Sequence, residues 1–266
     1  MNYFARTRLS FLSILLLLLL GTSNTLTAAP TRCPSQYLNG RRPVILNVKL
    51  STGSRELCFD NFSVMHSAIS RTPLWSAEHL TRSGIYDARQ LERHNVFHHE
   101  EQLPPDDRAD LNDYARSGFD RGHMAPSADM PTEEAQHQSF TLANMVPQNP
   151  DNNRHLWEGI ESAVRNLAIN KGELYIISGP LFIGNNLKRL KGRVLVPSHL
   201  YKIVFDPAKN IGAAYFVKNE SGDEWQVMSI SELEKIAGID FFPGLSNSVK
   251  QKKLRLPAPR VHQNFN

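Results

Sequence analysis

"PQNPDNNRHLWEGIESAVRNLAINKG", residues 147–172, carries two patterns on one segment. Leu156, Ile160, Val164 and Leu167 recur at helical spacing, with Pro150 ahead of the start and Gly172 past the end. The spacing predicts a helix with one face turned to a core. A second stripe differs in chemistry. Asn153, Trp157 and Glu161 stand four residues apart, which puts them within about 80° of rotation on one side of a helix. An amide and a carboxylate two turns apart can share one hard cation or its water shell. Read alone, the stripe favours an N-terminal cap at Asn153 and a solvated carboxylate at Glu161, since asparagine is common at helix starts.

Upstream, "FDRGHMAP" (residues 119–126) gathers Asp120, Arg121 and His123 around Gly122. The glycine lets the backbone turn closely, while Asp120 and Arg121 can form a buried ion pair or face a phosphate. A histidine that titrates near neutral pH can take a proton from water, and a cation beside it binds a phosphate oxygen. Phosphodiester hydrolysis needs both.

The 266-residue chain is 41% hydrophobic, enough for a substantial core. Residues 1–29 have the pattern of a secretory signal peptide: Arg6 and Arg8, an apolar run from Leu9 to Leu20, then small residues to a cleavage site near Ala28 or Ala29. Its run of about 12 residues is too short to span a bilayer. Residues 30–266 then form a single domain with a basic C-terminal tail bearing Lys250, Lys252, Lys253, Arg255 and Arg260. The leader holds two arginines and no acids, so 28 basic residues remain against 26 acidic ones, a net of +2. Net charge therefore does not announce a polyanion partner; the placement of charge must. Cys33 and Cys58 are the two cysteines, and an exported chain pairs them as a disulfide.

Between these landmarks, "RPVILNVKL", "FSVMHS" and, more weakly, "TPLWSAEHLT" have strand character. The polar stretch 82–118 predicts a long surface excursion. "ELYIISG" is a buried strand, and "HLYKIVF" and "GAAYFVK" form a hairpin across "DPAKNI". "SISELEKIAG" predicts a short helix with a capping box between Ser229 and Glu232 and a stop at Gly238.

Taken in order, "DRGHMAP", "LANMVPQNPDNNRHLWEGIE", "ISGPLF", "VPSHLYKIVF" and "IAGIDFFPGL" resemble the successive motifs of the DNA/RNA non-specific endonuclease family. These are ββα-metal (His-metal finger) nucleases of the endonuclease G type. The resemblance runs from about Val44 to Leu245. It implies an α+β fold with a central antiparallel sheet, packed helices and a ββα-metal finger at the active site. His123 would lie at a strand end and Asn153 on the helix.

The resemblance also implies roles. His123 would be the general base that activates water, and Asn153 the direct protein ligand of one Mg²⁺, for which Mn²⁺ is the natural substitute. Glu161 would hold water of the ion's shell and Arg121 would assist at the phosphate. Asn144 in "LANMVPQ" would be a supporting hydrogen-bond residue, with Asp120 beside it in that class. Arg93 in "RHNVFHHE", with Phe97 and Glu100, matches an upstream family arginine. Arg93, Arg121 and Arg154 are the candidate substrate contacts. Contacts to phosphate and sugar would make cleavage of DNA and RNA indifferent to sequence and leave 5′-phosphate ends.

The implied protein is secreted or periplasmic, with no membrane contact in its mature form; a homodimer and an inhibitor protein remain open. Two rival readings exist. One is a zinc-dependent phosphoesterase built on His94, His98, His99, Glu100 and Glu101, with His94 and His98 at i,i+4 spacing. The other, a secreted non-enzymatic nucleic-acid-binding protein, leaves His123, Asn153 and Glu161 without a reason.

Overall fold

The computed structural model describes residue 1 and residues 30–261. The rest of the expected leader, residues 2–29, and the last five residues lie outside the described residues. The centre is a seven-stranded sheet. In chain order its strands are β1 (Ser54–Cys58), β2 (Phe62–Ser67), β3 (Thr72–Thr81), β6 (Glu173–Leu181), β7 (His199–Asp206), β8 (Ile211–Lys218) and β9 (Trp225–Met228). Their order across the sheet is β9-β8-β7-β6-β3-β2-β1, and every neighbouring pair is antiparallel. A separate antiparallel pair, β4 (Asp120–His123) and β5 (Met145–Gln148), lies outside that sheet. The longer helices are α1 (Arg82–Ala88), α2 (Glu133–Ser139), α3 (Glu158–Lys171) and α4 (Ile230–Ala237). This is the expected α+β class with a central antiparallel sheet.

Both faces of the sheet are buried, which explains the near-continuous apolar runs of its middle strands. On one face Trp75, Ile177, Ile203 and Phe205 pack with α4 and the N-terminal residues Cys33 and Tyr37. On the other, Leu80, Ile176, Leu200 and Val204 pack with Leu156, Trp157, Ile160 and Val164 of the helical segment and with Met124 and Val146. The second layer carries the chemistry, because it seats the β4–β5 pair and α3 against the sheet. Cys33 and Cys58 form the expected disulfide, with Cα atoms 5.5 Å apart, tying the N-terminal segment to the end of β1.

Several expectations hold locally. The expected β7–β8 hairpin forms across "DPAKNI", with Asp206 opposite Ile211 and Asn210 at positive φ. Ser229 and Glu232 make a reciprocal capping box on α4, and Gly238 ends it in the left-handed region.

Others are corrected. "RPVILNVKL" gives only a two-residue strand, Val44–Ile45, before Asn47 Oδ1 accepts from Lys49 N and starts a helical turn at Val48–Ser51. A short polar side chain that bonds its own backbone competes with the sheet ladder. "TPLWSAEHLT", by contrast, is the strand expected, ten residues long at the heart of the sheet. The stretch 82–118 is not only a surface excursion. It contains α1, capped by Thr81, and buries Ile85, Leu103, Ala109 and Tyr114. Glu100 anchors it by accepting from Thr141 Oγ1 at 2.8 Å. The basic tail is anchored to the domain at intervals up to residue 256: Lys250 is buried against Glu234 and Asp240, exposed Lys253 pairs with Glu232, and Leu254 and Leu256 are buried. Lys252, Arg255 and Arg260 remain exposed.

Candidate active site

The site is a strand–strand–helix unit. In β4, Asp120 faces Gln148 and His123 faces Met145 across the pair. Gly122 is required by contact: a Cβ there would lie 1.9 Å from Gln148 Oε1 and 2.7 Å from Gln148 Cβ. Past His123 the chain leaves the ladder, and Asn144 catches it. The Asn144 carbonyl accepts from Met124 N at 3.0 Å. Its side-chain amide brackets Ala125, accepting from the Ala125 N at 3.0 Å and donating to the Ala125 carbonyl at 2.8 Å. Asn144 is fully buried, so its supporting role is to shape the turn beneath the site.

His123 ends β4 with 9% of its surface exposed. Phe140 meets the imidazole edge-on at 5.0 Å and Phe97 lies 5.7 Å away. Nε2 is buried and has no hydrogen-bond partner among the described residues. Burial, and then the charges of Arg93 and Arg121, lower its pKa to about 3. The imidazole is therefore neutral across the physiological range, with a nitrogen lone pair unclaimed by the protein.

The helix begins one turn earlier than a cap at Asn153 would require. Asn149 is the capping residue: its Oδ1 accepts from Asp151 N at 3.0 Å and Asn152 N at 3.1 Å. Residues Asn152–Trp157 then form a π-helical turn that runs into α3. Such turns are rare and concentrate at functional sites. Asn153 lies in this turn and donates Nδ2 to Asp120 Oδ2 at 3.0 Å. A carboxylate only accepts, so the amide's orientation is fixed and Oδ1 is its free end. Of the two options for Asp120 and Arg121, the mutual ion pair does not form: Arg154 grips Asp120 instead with two bonds, 2.9 and 2.8 Å. Burial pushes the Asp120 carboxyl up, but the bonds from Arg154 and Asn153 outweigh it and hold the pKa below the usual value.

Glu161, two turns beyond Asn153, borders the same cleft with Oε1 enclosed and unpartnered. Burial raises its carboxyl to about 7 against the pull of Lys202 and Arg165. Beneath it are charges the sequence reading missed. Arg165 pairs with buried Asp129 at 3.0 Å, and Glu78 and Lys202 are fully buried on β3 and β7. Burial lifts Glu78 well above the ordinary carboxylate range. A legible signal existed: Glu78 and Lys202 are charges inside otherwise apolar strand runs, where such residues are rare unless partnered.

His123, Asn153, Glu161, Asp120, Arg93, Arg121 and Arg154 all line one cleft of about 870 Å³. Arg121 stacks on Phe97 with its guanidinium 4.2 Å from the ring centre, and Arg93 lies 5.6 Å from that of Phe140. Exposed Arg116, missed from sequence, joins the rim at positive φ. The zinc alternative fails on geometry. Residues 93–97 are irregular, so the i,i+4 spacing of His94 and His98 does not put them on one helix face. Among the described residues the sole cluster with metal-ligand spacing is Cys33, Glu56 and Cys58, which contains the disulfide.

The sequence model of the DNA/RNA non-specific endonucleases matches residues 42–248. The chain belongs to the DNA/RNA non-specific endonuclease family. Within this family it is 33% identical over 221 residues to the human mitochondrial nuclease EXOG, covering 74% of this chain and 59% of that protein. It is 34% identical over 219 residues to a nuclease of Nostoc sp., covering 76% and 78%. It is 32% identical over 209 residues to nuclease C1 of Cunninghamella echinulata, covering 71% and 83%. This chain thus spans about three fifths of the human relative's length. The fold resembles the crystal structure of an EndoG/EndoGI complex, with a TM-score of 0.64 at 24% identity, covering 73% of this chain and 88% of that one. The family match contains every cleft residue named above; Cys33 lies ahead of it, so the disulfide fastens a segment outside the matched region to the domain.

Proposed function

We propose that the protein is an exported, metal-dependent endonuclease that hydrolyses phosphodiester bonds of DNA and RNA without sequence specificity, leaving 5′-phosphate ends. One observation carries the reading: a neutral His123, whose buried Nε2 has no partner among the described residues, lines the same cleft as Asn153 and Glu161, under a rim of arginines.

The donor set fits a hard cation. Asn153 offers an amide oxygen held outward by Asp120, and Glu161 offers an enclosed carboxylate oxygen without a partner. Oxygen donors suit Mg²⁺ or Mn²⁺ rather than a thiophilic metal. Asn153 would hold the ion and Glu161 its water. When bound, the ion supplies positive charge to the scissile phosphate and the leaving 3′ oxygen. His123 takes the proton from the attacking water on its neutral imidazole. Arg93 and Arg121 bind the phosphate, and its negative charge offsets the very cations that depress His123, so substrate raises the basicity of the imidazole when it is needed.

No base-reading groove is required by these contacts, which favours cleavage of any sequence. The leader pattern of residues 1–29 and the Cys33–Cys58 bridge support export to an oxidising compartment. The test is digestion of plasmid DNA and of a defined RNA with Mg²⁺, with EDTA and after Mg²⁺ is restored, beside His123→Ala. We expect loss in EDTA, rescue by Mg²⁺ and at least about 10²-fold loss in the variant. Cleavage that persists in EDTA or in the variant would reject the reading.

A further inference from the structure

Lys202 is 1% exposed in the middle of β7, a position where ammonium groups are almost never found without a specific partner. Its Nζ donates to the Ser178 hydroxyl at 2.7 Å on neighbouring β6 and to the backbone carbonyl of Met124 at 3.3 Å. It also lies 5.3 Å from the ring centre of Trp157. That ring in turn donates Nε1 to the carbonyl of His123 at 3.2 Å. The ladder between β4 and β5 ends at the His123–Met145 pair. Beyond it, the chain's carbonyls would have no strand to receive them in a buried setting, which costs free energy unless another donor arrives. Two donors arrive on consecutive residues, one from the helix and one from the central sheet.

We propose that Lys202 is a positioning residue for His123: it fixes the Met124 carbonyl from the sheet while Trp157 fixes the His123 carbonyl from the helix, so the backbone aims the imidazole and leaves Nε2 free. The inference rests on the nuclease reading for its kinetic consequence. An apolar side chain of the same length would fill the space at lower desolvation cost, so a purely structural need does not account for the ammonium. Lys202 also lies close enough to Glu78 and Glu161 to favour their ionised forms. A charge-balancing role is the competing account that the test must separate.

The test compares Lys202→Met, Lys202→Arg and the unaltered full chain by two measurements. The first is the imidazole ¹H–¹³C NMR signal of His123 in metal-free, substrate-free protein, assigned by its loss in His123→Ala. The second is kcat and KM on plasmid DNA with saturating Mg²⁺. We expect Lys202→Met to move the His123 signal while the His199 signal stays in place. We expect kcat to fall roughly 10- to 100-fold with KM changed less than about threefold, the pattern of a displaced reacting group. Lys202→Arg, which keeps a charged donor, should recover part of both. An unmoved His123 signal overturns the proposal even if kcat falls, because Lys202 would then act through Glu161; unchanged kcat overturns it as well. If Lys202→Met does not fold, Lys202→Gln, whose shorter uncharged side chain falls short of the Met124 carbonyl, is read the same way. Absence of cleavage by the unaltered protein would sink the nuclease reading, and the NMR comparison would still decide whether Lys202 aims His123.

Discussion

Asn153 gives its amide nitrogen to Asp120, at 3.0 Å, and takes no part in capping its helix. Metal binding and helix capping are therefore separable by substitution. Asn153→Ala should leave the melting temperature without metal nearly unchanged and raise the Mg²⁺ concentration for half-maximal activity. Asn149→Ala should do the reverse, costing about 1 kcal/mol of stability with metal dependence intact. Asn153→Asp places a second carboxylate against Asp120, so it too should weaken activity despite its charge. Metal titrations beside thermal melts check all three, and an unchanged Mg²⁺ requirement in Asn153→Ala would remove Asn153 from the metal site.

Glu161 is a stability liability near neutral pH. Its folded carboxyl, raised by burial to about 7 from 4.5, binds a proton more tightly than in the unfolded chain. Folding thus takes up a proton between those values, and the stability gained from the neutral acid is lost as pH rises through 7. Glu161→Gln cannot ionise. It should abolish most activity yet gain stability over the wild type by about 1–2 kcal/mol between pH 5 and pH 8. Melting curves at the two pH values check this; a constant difference would place the proton elsewhere, with Glu78 the obvious holder.

What was legible in the sequence was local. Ser229, Glu232 and Gly238 mark the ends of α4 because capping is decided within a few residues of chain. Asn153 and Glu161 were visible as a pair for the same reason, although Trp157 of the same stripe turns to the core and the π-helical turn was not legible. The environment of His123 could not be read by position. Phe97, Phe140, Trp157 and Lys202 reach it from four separate segments, and only the folded sheet brings them together. Asp120 chose Arg154 over its neighbour Arg121 because adjacent strand residues point to opposite faces, whereas the helix brings Arg154 across.

His123 makes an opposite pH prediction to that of Glu161. With its folded pKa depressed to about 3, the unfolded chain binds the extra proton between about 3 and 6.5. Its contribution to stability is therefore lost as pH falls through that window. For activity, the acid limb of kcat/KM reports the free enzyme and should lie below the ordinary histidine value, while the limb of kcat, with phosphate between the arginines, lies higher. Arg93→Gln removes one depressing charge and should shift the kcat/KM limb upward. A limb that stays put in this variant would show that Arg93 has no part in the depression beyond burial and Arg121.

Gly122 offers the sharpest test of how little room the unit has. In Gly122→Ala the new methyl carbon would lie 1.9 Å from Gln148 Oε1, and Gln148 cannot easily retreat, because it is fully buried and its Nε2 donates to Asn152 Oδ1 at 2.8 Å. The strain must move β4 away from β5 or push Gln148 into the turn that carries Asn153. Overpacking of this kind costs about 1–3 kcal/mol, within what a domain of this size can survive. A displacement of about 1 Å at His123 or Asn153 would cost roughly 10²-fold in rate. Gly122→Ala should therefore fold, melt a few degrees lower and lose activity far beyond its loss of stability, with the Mg²⁺ requirement raised if Asn153 is the part that moves. Activity near wild type in a folded variant would show that the β4–β5 pair yields without disturbing either residue, and that Gly122 is not what sets their separation.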